Sequence, residues 1–134
     1  MSLLIKFRLS LVLALLFISG CAQGDGSVEV QGKVTIDGQV PEKATIRFEP
    51  ANGVGGAAEQ ILEAGAYKLR VAPGEKKVMV YASKKIGEHP SMGPGSAMID
   101  DFKQILPPQF NEQTTLKADI KAGSAPLNFD LKTK

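Results

Sequence analysis

This chain of 134 residues has no tryptophan, one cysteine and one histidine, and only 6% of it is aromatic. Each scarcity closes a route. A single cysteine, Cys21, makes no intramolecular disulfide, so covalent bridges contribute nothing to stability. Zinc sites need several converging His, Cys or carboxylate ligands, and His89 with Cys21 does not supply them. Nucleophilic catalysis is equally thin, because Ser83, Ser91 and Ser96 stand near His89 in sequence but none lies in a nucleophile-elbow motif. No metal or cofactor is expected. Charge of one sign is missing too. The formal net charge is +2, but Lys6 and Arg8 fall in a leading stretch without acids; beyond residue 20, 14 basic residues (16 less these two) face 14 acidic ones. With no basic stripe, electrostatics offers nucleic acid no foothold.

What the chain does have, first, is an export signal. Lys6 and Arg8 precede the apolar run Leu9 to Ile18, which is of signal length and too short to span a bilayer comfortably. Ser19 and Gly20 then place small side chains at a scissile bond, and Cys21 follows with a thiol that can be alkylated. Ile18-Ser19-Gly20-Cys21 resembles a bacterial lipobox, which implies cleavage before Cys21 and diacylglycerol on its sulfur. The expected organisation is a lipoprotein signal peptide over 1–20, a lipidated tether over 21–27 and one folded domain over 28–134. Lipidation also accounts for a lone exported thiol, otherwise a liability in an oxidising compartment. Each buried acyl methylene contributes about 0.8 kcal/mol, so a multiply acylated terminus holds a membrane stably. The expected location is the cell envelope. Ala22 stands where enteric lipoproteins retained at the inner membrane carry aspartate, which points to the outer membrane.

Beyond the polar stretch Gly24-Asp25-Gly26-Ser27, short apolar runs broken by Gly and Pro predict an all-β sandwich. Val28, Val30, Val34 and Ile36 alternate with Glu29, Gln31, Lys33 and Thr35, the period of a strand with one buried face. Asp37-Gly38 is a hairpin-turn signal, although Pro41 soon after suggests a longer connection than a bare two-residue loop. Ala44, Ile46 and Phe48 are the inward set of a second strand, Ala44 to Glu49. Ala57 to Leu62 is a third, with Ile61 and Leu62 partly buried. Tyr67 to Val71 follows the turn at Glu63-Ala64-Gly65, and Pro73-Gly74 leads into Lys77 to Ser83. In that strand Met79 and Tyr81 on the second face predict a strand that is central or covered on both sides. Thr115 to Ile120 and Leu127 to Leu131 complete seven strands, with Phe129 expected to share a core with Phe48.

Residues 84–114 make a connection too long for an ordinary hairpin loop. Lys84 to Gly95, rich in Gly, Pro and charge, is expected to be mobile. Met98, Phe102, Ile105 and Leu106 have helical spacing that stops at Pro107-Pro108. This predicts a short helix with Asp100 and Asp101 in its first turn, where they favour the dipole. Ile105 to Phe110 supplies apolar area to dock on the sandwich, with Phe110-Asn111 as a plug.

Several stretches share a resemblance: Gln31-Gly-Lys-Val-Thr-Ile-Asp-Gly38, Ala44-Thr-Ile-Arg-Phe-Glu-Pro50, Ala66-Tyr-Lys-Leu-Arg-Val-Ala-Pro-Gly74 and Lys77-Val-Met-Val80. Together they resemble a carboxypeptidase regulatory-like domain, matching its G-x-V-x-x-x-G first strand at Gly32, Val34 and Gly38 and its P-G corner at Pro73 and Gly74. Ile105 to Asn111, Thr114 to Leu116 and Asn128 to Leu131 look like small planctomycete-type lipoproteins that carry this domain. The resemblance implies a prealbumin-like (transthyretin-like) Greek-key β-sandwich. Many relatives have an Asp-x-x-Gly turn before the fourth strand, whereas Leu62-Glu63-Ala64-Gly65 keeps the glycine and lacks the aspartate. The domain accompanies a separate zinc enzyme in large carboxypeptidases, and this chain holds no such enzyme.

Three constellations bear weighing for chemistry. His89 with Ser91 or Asp100 is the one conceivable hydrolytic set, although related transthyretin-like hydrolases use several histidines and arginines. Glu88 with Asp100 and Asp101 suggests calcium, but adjacent carboxylates lack the spaced oxygens of a calcium loop. Tyr67 and Tyr81 are candidates for stacking on a sugar, and equally for packing. The sequence thus leads to no catalytic residue and to one modification site, Cys21. The expected function is that of a membrane-anchored, non-catalytic envelope lipoprotein, a structural or binding module whose partner is an envelope protein or glycan. The alternative is a carbohydrate- or peptide-binding accessory subunit of a surface enzyme, reading its partner through residues 84–111.

Overall fold

The computed structural model describes residues 26–134, so the expected signal peptide over 1–20 and the expected lipidation site Cys21 lie outside the described residues. Eight strands and one short 3₁₀ turn, Pro108–Phe110, build the fold. The strands are β1 (Val28–Ile36), β2 (Lys43–Pro50), β3 (Ala58–Ile61), β4 (Ala66–Val71), β5 (Gly74–Pro90), β6 (Met98–Gln104), β7 (Lys117–Ile120) and β8 (Phe129–Leu131). A three-stranded sheet ordered β4-β1-β8 faces a five-stranded sheet ordered β3-β2-β5-β6, in which β7 also pairs with β5. The chain crosses between sheets after β1, β3, β4 and β7. The all-β sandwich read from the alternation is the fold, with eight strands in place of the expected seven.

Alternation decides which faces meet. In β2 and β5 the antiparallel register sets Ala44 opposite Ala82, Ile46 opposite Val80 and Phe48 opposite Val78, and all six are buried. The small sheet answers with Val30, Val34 and Ile36 of β1, Tyr67 and Val71 of β4 and Leu131 of β8. Phe48 is fully buried with its ring 6.0 Å from that of Tyr67, which joins the two layers. Phe129 lies opposite Val34 and packs against the same core, half-buried, as its phase predicts. In β3 only the flanking Leu62 is buried, and Ile61 faces out.

Two close approaches set the small sheet. Leu127 N–H donates to Gln31 O at 2.9 Å, and Tyr67 Oη donates to Leu127 O at 2.5 Å, so the backbone before β8 runs against β1 at Gly32. A Cβ on Gly32 would fall 1.8 Å from Leu127 O. Asp37-Gly38 is a two-residue hairpin turn, with φ of +51° and +77° and both hydrogen bonds exchanged between Ile36 and Gln39. Pro41 sits in the link onward to β2.

The connection from 84 to 114 departs most from expectation. Lys84 to Pro90 continues β5, which runs 17 residues, and is therefore paired strand where a mobile loop was expected. Met98–Gln104 is β6 and not a helix, in antiparallel register from Ser83↔Gln104 to Pro90↔Met98. The reason lies in the spacing. Met98 and Phe102 are four apart, which places them together on a helix and equally on one side of a strand. β5 passes beyond β7 with its backbone groups unpaired on the edge away from β2, and a strand satisfies them where a helix cannot. Asp100 and Asp101 consequently point to opposite faces of a ribbon. The second half docks as expected: Leu106 is buried, Ile105 and Phe110 pack on the core, and Asn111 is buried within its own turn. Between β6 and β7, side chains continue the edge of β5. Gln104 Oε1 accepts from Ala82 N–H at 2.8 Å, and the Thr114 hydroxyl donates to Val78 O.

Candidate functional site

The ends of the sandwich are unlike. At one end β1 begins, β4 finishes and β5 starts. Arg70 clamps the incoming chain there, donating from Nε to Ser27 Oγ at 2.9 Å and from Nη2 to Ser27 O at 2.7 Å. At the other end β2 begins opposite Ser83, and β5 continues past it with β6 alone at its side. At about 3.3 Å per residue, the stretch from Ser83 to Pro90 reaches on the order of 20 Å beyond β2. The result is a two-stranded arm, closed at its tip by Ser91 N–H donating to Ala97 O at 2.8 Å and by Ser96 Oγ donating to Gly93 O at 2.7 Å.

Ion pairs across the ribbon hold the arm. On the face continuing the outer side of the large sheet, Lys85 Nζ lies 2.8 Å from Asp100 Oδ1 and also bonds Glu88. The Asp100 hydrogen bond, then that of Glu88, raises the Lys85 pKa above its ordinary value. Lys43 Nζ sits 4.4 Å above the Phe102 ring on the same face. On the opposite face His89 Nδ1 lies 2.8 Å from Asp101 Oδ1, placed for the imidazole N–H to donate to the carboxylate. A bulge between Lys85 and Gly87 turns Ile86 outward. Ile86 is 65% exposed, Met92 93%, and Met98, Ile99 and Phe102 are exposed as well.

These positions sort the residues nominated from sequence. His89 meets Asp101, not Asp100, and the pair is solvent-exposed. Ser91 sits in the tip turn, its backbone closing the hairpin. Glu88 and Asp100 share Lys85 while Asp101 faces the other way, and no group of His, Cys, Asp and Glu among the described residues is placed to hold a metal ion. Tyr67 and Tyr81 do not form a pair. Tyr67 is buried, which pushes its hydroxyl pKa well above the ordinary value, whereas Tyr81 Oη contacts Met79 Sδ at 3.7 Å, half-buried on the outer face. Lys85, Ile86 and Phe102 lie within the span 84–111 that the sequence offers for recognition without being singled out there, and Lys43 lies outside it. The signal for them was present: Gly93-Pro94-Gly95 between two runs of alternating character is a hairpin pattern.

A second feature is a shallow depression of about 630 Å³ on the outer face of the small sheet and its edge. Gln31, Lys33, Gln60, Glu63, Lys68 and Asn128 line it. Gln60 Oε1 accepts from Lys68 N–H and Asn128 Oδ1 from Lys33 N–H, both at 2.9 Å.

No family model matches the chain, and no curated protein sequence matches it. Among solved structures there is a distant likeness to a Bacteroides ovatus protein described as a "putative adhesin", with a TM-score of 0.44 at 18% identity. It covers 79% of this chain and 43% of that one, so this chain spans less than half the length of its neighbour.

Proposed function

We propose that this chain is an exported, non-catalytic β-sandwich, held to the cell envelope by lipid on Cys21, that presents its hairpin arm to a partner. In this reading residues 1–20 are removed, residues 21–27 tether the domain to the outer membrane, and the sandwich is a carboxypeptidase regulatory-like module. The observation that carries it is the opposition of the two ends. The chain comes in at Ser27, clamped by Arg70, and the arm leaves from the far end. An anchor at Cys21 thus directs the arm away from the membrane, with exposed apolar side chains along it. His89 is engaged with Asp101, and Lys85 with Asp100, across the ribbon, which suits a stiff presenting element better than a reacting one.

Fractionation of bacteria expressing the chain tests the anchor. The unaltered protein is expected with membranes and released only by detergent, and Cys21→Ser with the soluble fraction. Retention of the variant through a high-salt wash would overturn the reading. The amide-lined depression favours a second reading, an accessory module that binds a glycan or an extended peptide there. Resonance shifts confined to Gln31, Gln60, Lys68 and Asn128 on adding envelope glycan fragments would support it over the first.

A further inference from the structure

The arm has two long edges, and they differ. Along the outer edge of β5, the bulge at Lys85 and Gly87 and then Pro90 interrupt the backbone groups that a further strand needs. β6 has neither proline nor bulge over Met98–Gln104 and pairs with β5 alone. Ile105 N–H donates to Ala82 O, so backbone alternation turns positions 103, 101 and 99 toward β5 and positions 104, 102, 100 and 98 outward. An open edge of this length invites pairing.

We infer that β6 pairs antiparallel with β6 of a second copy of this chain, about a two-fold axis at Phe102. Charge selects both occupant and register. Symmetric pairing centred on Asp100, on Asp101 or on Lys103 sets each of these against its own copy. Centred on Phe102, it sets Asp101 against Lys103 of the second copy, twice, in the close non-hydrogen-bonded positions. Phe102 and Asp100 then carry the hydrogen bonds, to Phe102 and Gln104 of the second copy. Lys103 has no ion-pair partner among the described residues, and Asp101 uses only Oδ1 in its contact with His89. The pairing supplies the partner that Lys103 lacks and covers part of Phe102 and Ile99, which are 40% and 47% exposed.

The geometry has a consequence. Antiparallel arms leave the two sandwiches at opposite ends of a four-stranded ribbon, so the two Ser27 ends point apart. Two such copies bridge facing surfaces and do not pair side by side on one. The bridging, though not the pairing itself, rests on the anchor at Cys21 proposed above. Pairing over so few residues is weak in solution and gains strength between surfaces that carry many copies.

Sedimentation equilibrium of the chain beginning at Ala22, which retains every strand and the whole core, reads the pairing without the anchor. Concentration-dependent dimers are expected. Lys103→Asp and Asp101→Lys each place like charges together and should weaken dimerisation at least about tenfold. An equimolar mixture of the two variants restores both opposite pairs and should dimerise as the parent does. The double exchange Asp101→Lys with Lys103→Asp should do so by itself, and thermal unfolding verifies that each variant is folded. A parent that stays monomeric at millimolar concentration would overturn the inference, as would variants that dimerise unaltered or a mixture no stronger than its components. Vesicles bearing the lipidated full-length chain should cluster, and Lys103→Asp should abolish it. Dimers in solution without clustering would leave the pairing standing and overturn the anchored orientation.

Discussion

Ala64 holds the left-handed conformation at φ +50°, a place where the chain has no glycine and no asparagine to ease it. It forms with Gly65 a two-residue turn in which Glu63 and Ala66 exchange hydrogen bonds of 3.1 and 2.9 Å. An L-residue with a Cβ carries roughly 1–2 kcal/mol of strain there. Ala64→Asn, which tolerates the conformation, is expected to raise stability by about 1 kcal/mol, seen as a higher urea midpoint at unchanged slope. Gly65 admits no such exchange, since at φ +76° its Cβ would lie 2.9 Å from Val34 O. Gly32 shows the opposite sign to Ala64. Its missing Cβ is the space that Leu127 O occupies, with Tyr67 Oη 2.8 Å away. Gly32→Ala must push the backbone before β8 off β1 and break the Tyr67 bond, an expected loss of about 3 kcal/mol in the same measurement. That Gly32 and Gly38 belong to a turn-and-strand pattern was legible in the sequence. The reason for Gly32 was not, because Leu127 stands 95 residues away along the chain.

At the scale of elements, the arm and the sandwich divide the work. No residue between Lys84 and Gln104 belongs to the buried core, whereas Ala82 just before and Leu106 just after do. Replacing residues 85–102 by a two-residue Asn-Gly turn, which keeps Lys84 opposite Lys103, should therefore leave the unfolding free energy within about 1 kcal/mol of the parent. A collapse of the melting transition would show the arm to be a structural brace. The core strands were readable because one face is apolar and the other polar, which a period of two exposes directly. β6 was not. Its apolar residues Met98 and Phe102 fit both periods, and what decides between them is the edge of β5 away from β2, which β7 leaves free beyond Lys77. The docked half, Ile105 to Phe110, was readable from apolar content alone, since burying that area offsets the cost of ordering the chain.

Across the whole molecule, the last strand closes the fold by lying parallel to the first, with Val34 opposite Phe129 and Ile36 opposite Leu131. Asp37 latches it. Its backbone N–H donates to Leu131 O at 2.8 Å, and its carboxylate accepts from Thr133 Oγ1 at 2.6 Å and Thr133 N–H at 3.1 Å. The hydroxyl bond, then the backbone one, lowers the Asp37 pKa below its ordinary value of 3.8. A lowered folded-state pKa stabilises above the unfolded value and loses that contribution as pH falls through the folded one. Amide exchange at Thr133 should thus accelerate as pH drops below 3.8, beyond the intrinsic trend. Asp37→Asn, which does not titrate, should show no such step, and a step surviving in it would assign the latch elsewhere.

Local chemistry was enough to read an all-β domain, its buried faces, the hairpin turn at Asp37-Gly38 and a docked segment after residue 104. Periodicity, turn residues and apolar area act over a few neighbours, so they stand in the sequence as they stand in the fold. Tertiary structure alone decided the rest: that Gly32 is a crossing point for Leu127, that Asp100 and Asp101 part to opposite faces, that His89 meets Asp101, and that residues 84–104 form an arm at the end away from Ser27. Each of these depends on which strand edge remains open once the two sheets have formed. That is a property of the assembled sandwich, and no local window of residues contains it.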